Sequence, residues 1–298
     1  MNTTRIFLWA GLGIALLFAL SGPLVGQGLL DELDELEGGE AKREFVQATF
    51  KDSRIVNVQS NETPGEGILH FVIAHRFGRI NEGIYSLWGL DNASMRLGLD
   101  FGVTDRLAIG VARSTYQKTL ELNAKYRLLR QSTGAREVPV SVTLYSVGMM
   151  NGLRWAEPER ENLFSSRLSY VHQVVVARKM GQRLSLACIP SLTHRNLVPT
   201  ESDPHDVLTL GVGGRYKLNN RLSINGEWHP FLTERPAESV ASLSLGVDID
   251  TGGHVFQLHV TNAQGMFERA FLTETGGSWL DGALYFGFNL SRVFTMTK

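Results

Sequence analysis

The 298-residue chain has a single cysteine, Cys188, and therefore no disulfide framework, no thiolate zinc site and no iron–sulfur cluster. An excess of one charge is lacking too. The 29 basic side chains stand against 30 acidic ones, so nothing is left over to neutralise a phosphate backbone, and a nucleic-acid partner is excluded on that ground. No Gly-rich phosphate loop joins a strand to a helix, and no cofactor motif is present, so no cofactor is expected. The long apolar run, Ile6 to Leu20, is shorter than the roughly 20 residues that a membrane-spanning helix requires. What the chain has in quantity is glycine, 31 residues, and segments of strict alternation.

Arg5 before that run, and Ser21, Gly22, Pro23 and Gly26 after it, give the order of a secretory signal peptide over residues 1–26, cleaved after Ser21 or after Gly26. A single membrane anchor is the alternative. Residues 27–48 read as an acidic periplasmic leader. Leu29, Leu33 and Leu36 share one face of a short helix stopped by Gly38-Gly39, and Asp31 to Glu44 carries seven acids against two bases. The leader is either solvated or docks on a periplasmic partner. Residues 49–66 follow as a periplasmic or plug segment.

From Gly67 onward the period is two. Met95, Leu97, Leu99, Phe101 and Val103 alternate with Arg96, Gly98, Asp100 and Gly102, and Leu120, Leu122, Ala124, Tyr126 and Leu128 alternate with Glu121, Asn123, Lys125 and Arg127. The pattern predicts strands near 67–77, 94–103, 107–114, 119–129, 138–150, 165–180, 184–196, 207–218, 222–232, 239–250, 254–262 and 282–294. Three connections share one formula, an apolar residue, three turn residues ending in Arg, then Leu: Val103 to Leu107, Met180 to Leu184 and Leu218 to Leu222. A fourth short turn lies near Asp250 to Gly253, the Leu129–Val138 turn is longer, and these alternate with longer connections at 78–93, 115–118, 151–164, 197–206, 233–238 and 263–281. The polar row is rich in glycine (Gly98, Gly102, Gly110, Gly211, Gly213, Gly246, Gly287), which suits a crowded interior and would be odd on a solvated surface.

Together these features predict an all-β protein: a single closed antiparallel transmembrane barrel of about 12 strands over residues 67–294, with short periplasmic turns and longer extracellular loops, in the outer membrane of a Gram-negative bacterium. A soluble twelve-stranded β protein is the competing architecture. The partners expected are outer-membrane lipid, the barrel assembly machinery through the terminal strand ending at Phe294, and a homo-oligomer or another envelope protein.

The strings ATFKDSRIVNVQS (Ala48 to Ser60), GLDNAS (Gly89 to Ser94), KYRLLRQ (Lys125 to Gln131), PVSVTLY (Pro139 to Tyr145), RLSY, ARK and RLSL between Arg167 and Leu186, and HRN (His194 to Asn196) resemble a family of Bacteroidota β-barrel proteins catalogued as a domain of unknown function. The resemblance covers nearly the whole mature chain and implies a barrel in the outer membrane. It implies no activity for any residue.

The lumen row contains Arg96, Asp100, Glu121, Lys125, Arg127, Arg215, Lys217, Glu227, His229, Asp248 and His259. Mixed charge in a confined space reads either as an ion-pair network that fills the barrel or as a path for a small polar solute, narrowed further if Phe45 to Ser60 inserts. A third class is an outer-membrane hydrolase at the barrel mouth. His259-Val260-Thr261-Asn262 has a suitable spacing, but no third residue can be placed and no catalytic residue is assigned. The tip Glu201-Ser202-Asp203-Pro204-His205-Asp206 reads as a solvated loop, with a cation site as the alternative, and no metal ligand is assigned. On the lipid row, His172, Cys188 and Pro190 interrupt the apolar residues and mark a possible partner face. Either a β-bulge at Pro190 turns His172 away from lipid or a partner covers it.

Overall fold

The computed structural model describes residues 42–296; the signal segment and the Leu29 to Leu36 helix lie outside the described residues. Twelve strands carry the alternation: β1 (Ile68–Arg79), β2 (Ala93–Gly102), β3 (Leu107–Ser114), β4 (Leu120–Leu129), β5 (Ser141–Met150), β6 (Leu168–Lys179), β7 (Leu184–Arg195), β8 (Asp206–Lys217), β9 (Leu222–His229), β10 (Ser242–Asp250), β11 (His254–Thr261) and β12 (Tyr285–Thr295). Each pairs antiparallel with the next and β12 pairs with β1, so the sheet closes and no edge remains. No helix among the described residues is long and apolar enough to cross a membrane.

The shared turn formula has a physical basis. Thr104 Oγ1 accepts from the amides of Arg106 (3.2 Å) and Leu107 (3.0 Å), and Asn219 Oδ1 accepts from those of Arg221 and Leu222 (both 2.9 Å). A short polar side chain thus reverses the chain by bonding amides two and three residues ahead. The third copy uses Gly181 at φ 152° instead. Some strands are shorter than the alternation suggests. β9 stops at His229 because Pro230 has no N–H for the ladder, and β6 starts at Leu168 because Phe164–Arg167 coil into a 3-10 turn.

The apolar row faces outward. Leu122 is 62% exposed, whereas Glu121 beside it is fully buried, and the same contrast holds around the barrel. Strands β5 to β7 are an exception on the inner side, where Tyr145, Val147, Met149, Val171, Val175 and Ile189 are also buried. They are covered by two segments that fold into the barrel from opposite ends. From the end with the tight turns, residues 49–63 enter as a hairpin, in which Ser60 N donates to Ser53 O and Ile55 N to Val58 O (both 2.8 Å). From the other end, the connection between β11 and β12 descends and coils into α1 (Glu268–Thr273). Phe50, Ile55 and Val58 of the hairpin and Phe267, Phe271 and Leu272 of the descending loop join the inner side of β5 to β7 in one apolar core. Ahead of the hairpin, Glu44–Phe45 pairs with Ser132–Thr133 on the turn between β4 and β5.

Candidate functional site

The hairpin tip, Ile55 to Val58, sets three successive amides on one carboxylate. Val56 N (3.0 Å), Asn57 N (2.9 Å) and Val58 N (3.1 Å) all donate to Glu227 of β9, an arrangement of consecutive N–H groups that forms an anion-binding nest. The remaining polar groups of the tip are bonded as well. Ile55 O accepts from Gln257 Nε2 (2.7 Å), Val56 O from Asn289 Nδ2 (3.1 Å), and Asn57 bonds Ser244 Oγ (2.8 Å) and Arg76 Nη2 (2.8 Å). The tip reaches the wall because the wall has glycine there. A Cβ on Gly213 would lie 2.4 Å from Ile55 Cδ1.

Lower on the hairpin, basic side chains of the wall hold backbone carbonyls. Lys125 Nζ donates to Ser53 O (3.0 Å), Arg127 Nη2 to Thr63 O (2.6 Å), Arg215 Nη1 to Thr49 O (3.2 Å) and Lys179 Nζ to Gln47 O (2.8 Å). Ion pairs join Lys51 to Asp250 (2.5 Å) and His70 to Asp52 (2.7 Å). Where hairpin and descending loop meet, Arg54 (2.8 Å) and Gln59 (2.9 Å) share Glu268 Oε1.

The remaining polar-row residues also point inward. Arg96 and Glu121 form a buried bidentate pair (2.8 and 2.7 Å), and Asp100 accepts from Asn123 (3.1 Å). Asp248 accepts from Gln257 (2.6 Å), His229 bonds Ser242 (3.0 Å), and Lys217 lies half-buried toward the tight-turn end. His259 Nε2 lies 3.0 Å from Arg76, while Thr261 Oγ1 is occupied by Ser244 Oγ (2.9 Å) and the Ala263 amide (3.1 Å), so the spacing noted at 259–262 brings no nucleophile to a base. On the outer loop, Asp203 accepts from the Ala237 amide (2.7 Å) and from Thr200, bonds that hold its carboxyl below the usual carboxylate range. Asp206 pairs with His194 (2.7 Å). Among the described residues no group of three His, Cys, Asp or Glu is placed to hold a metal ion.

The bulge expected at Pro190 does not form. The β6–β7 offset is the same at Gln173↔Ser191 and at Val176↔Cys188, because the missing N–H of Pro190 leaves a gap in the ladder and inserts no extra residue. His172 therefore stays on the outer face, opposite Leu192, with Nδ1 2.9 Å from Ser146 Oγ. With Ala124 and Pro190 these two residues floor an outer hollow of about 560 Å³. Cys188 shares their row and is 6% exposed, so its neighbours screen most of the thiol.

Residues 50–294 match the family described as a membrane bound beta barrel domain, DUF5777. The chain belongs to that family. No curated protein matches its sequence. Among solved structures it is similar to the NanC porin (9% identity, 77% of this chain and 100% of that chain, TM-score 0.47), the KdgM porin (9%, 76% and 99%, 0.47) and an outer membrane channel from Pseudomonas putida F1 (13%, 78% and 97%, 0.46).

For a member of this membrane-barrel family the outer row is the lipid contact, and the interior is the only polar space. The hairpin and the descending loop fill much of that interior. On the side of the hairpin away from β5 to β7 lie two cavities of about 10 Å³ each, one against Val72, Ala74, Arg96 and Asn289 and the other against Asp100, Ala108, Asn123 and Lys125. Each is the size of a water molecule. The sequence reading misses Arg76, Asn57, Gln257, Asn289, Arg54 and Glu268. Arg76 is legible by its parity with His70, and Glu268 by the helical spacing of Phe267, Ala270 and Phe271 inside a long loop. Asn57 carries no such signal.

Proposed function

We propose that this outer-membrane barrel is a narrow, gated path for small polar solutes, with its tight turns and N-terminal leader in the periplasm and its long loops outside. The observation that carries the reading is the asymmetry of the hairpin. One side is packed into apolar core, and the other meets a charged wall through hydrogen bonds, with water-sized cavities along that seam. Polar contacts of this kind exchange with water at modest net cost, about 0.5–1.5 kcal/mol each, so this side of the hairpin can part from the wall where a fully apolar seal would not. Planar-bilayer recording of the refolded full chain tests this. Discrete conductance steps that become more frequent in Gly213→Val, where the added side chain displaces Ile55, support a gated path. A correctly folded barrel that gives no steps in either form removes it.

The hydrolase alternative loses support from the occupied state of His259 and Thr261. A role as the membrane component of an envelope complex is favoured by a different observation, the His172–Ser146 pair, whose polar atoms face lipid. The face is concave, so a second copy apposed there would leave a void, and the occupant on this reading is a different envelope protein. A photocrosslinking residue at Leu192 in native membranes would trap it, and its absence from crosslinked products would remove this reading.

A further inference from the structure

We infer that the path, once the hairpin moves, conducts small anions in preference to cations; the inference rests on the gated-path reading. The inward-facing positions of the twelve strands hold eight Lys or Arg and five Asp or Glu. A barrel filled by wall-to-wall ion pairs would balance the two, and this one does not. The surplus is stabilised by neutral acceptors on the hairpin. Lys125, Arg127, Lys179 and Arg215 each donate to a hairpin or pre-hairpin carbonyl between Gln47 and Thr63. Among the described residues no carboxylate lies within 4.0 Å of any of these four, whereas Arg96 keeps Glu121 whether or not the hairpin is present. Withdrawing the hairpin therefore exposes four cations stripped of their acceptors. Three carboxylates, Glu227 and Asp250 of the wall and Glu268 of the descending loop, lose hairpin partners as well, and so does a fifth cation, Arg76, which gives up Asn57.

In a confined, low-dielectric passage such a surplus concentrates counter-ions of opposite sign and excludes those of like sign. The four cations lie toward the tight-turn end, so the periplasmic half of the open path is where selection acts. Carboxylates and phosphates of small size are the solute class this chemistry favours.

Reversal potentials of the full chain in a KCl gradient test the inference, with Gly213→Val used to raise the frequency of openings because it changes no charge. The expected result is a chloride-to-potassium permeability ratio of about threefold or more, reduced toward unity in Arg215→Gln and Lys125→Gln and kept in Arg215→Lys. Clear channel steps with a ratio at or below unity overturn the anion inference and leave the gated path standing. Steps absent from a heat-modifiable, folded barrel overturn both. A ratio that is anion-selective but unchanged in the two Gln variants overturns the assignment of selection to these cations.

Discussion

Replacing Glu227 by Ala is the sharpest perturbation of the closed state. The carboxylate is buried and receives the amides of Val56, Asn57 and Val58, while Glu268 holds the side chains of Arg54 and Gln59 that flank the tip. A buried donor left without a partner costs about 1–3 kcal/mol, so three of them set an upper range of about 3–9 kcal/mol. Water enters the space vacated by the side chain and recovers part of this, which leaves about 3 kcal/mol as the expected weakening of the docked hairpin. At about 1.4 kcal/mol per decade, the population of undocked hairpin rises roughly 100-fold. Hydrogen exchange of the peptide containing residues 55–59, measured in lipid, reads this directly as a loss of protection of that size. Glu227→Gln keeps an acceptor oxygen but turns an NH2 toward the nest, and should fall in between. Leu122→Ala, on the outer face, should leave the peptide protected. If Glu227→Ala leaves exchange at 55–59 unchanged in a folded barrel, the nest is not what holds the hairpin.

Four further outcomes are expected. Leu99→Arg, on the lipid-facing row, should cost about 2–4 kcal/mol of barrel stability in urea titrations in lipid, and a neutral result would reverse the assignment of faces. Arg96→Met should cost about 3–5 kcal/mol because it strands the buried Glu121, while Arg96→Met with Glu121→Met should recover much of that; equal losses would show that the pair itself is not at stake. Cysteines placed at Asn219 and Pro204 should label from opposite sides of the membrane, and labelling of both from outside intact cells would contradict the topology. The Asp203 clasp between the two outer loops should hold above the normal carboxylate pKa and loosen as pH falls through its depressed value, so protease cutting near residues 197–206 should increase only in acid; Asp203→Asn should remove that pH dependence.

Most of the barrel was legible because its physics is local. Alternation, the turn formula and the glycines of the polar row each depend on residues two to four apart, and they specify which face of Met95 to Val103 meets lipid without knowledge of any partner strand. The strand ends were less legible, since Pro230 and the 3-10 turn at Phe164–Arg167 cut the ladder where the apolar pattern runs on. Strands β5 to β7 blurred the two rows for a different reason. Val174, Val175 and Val176 are all apolar because one side meets lipid and the other meets the inserted segments, so parity alone could not say that Val175 belongs to an interior core.

The candidate site was half legible, and the missing half is explained by what binds the lumen cations. A sequence reader looks for an acid to match each base, and on that basis the polar row reads as an ion-pair network. Arg96 with Glu121 satisfies the expectation, as do Lys51 with Asp250 and Arg54 with Glu268. Lys125, Arg127, Lys179 and Arg215 do not, because their acceptors are main-chain carbonyls that every residue type supplies. The reverse holds at Glu227, whose donors are three main-chain amides. At these contacts the hairpin docks through its backbone and leaves no complementary side chain to detect. The trace it does leave is an imbalance of charge along the wall, together with glycine at Gly213, where a side chain would exclude the tip. An unmatched surplus of lumen charge in a barrel of this size is thus itself a sign that a backbone segment fills the interior.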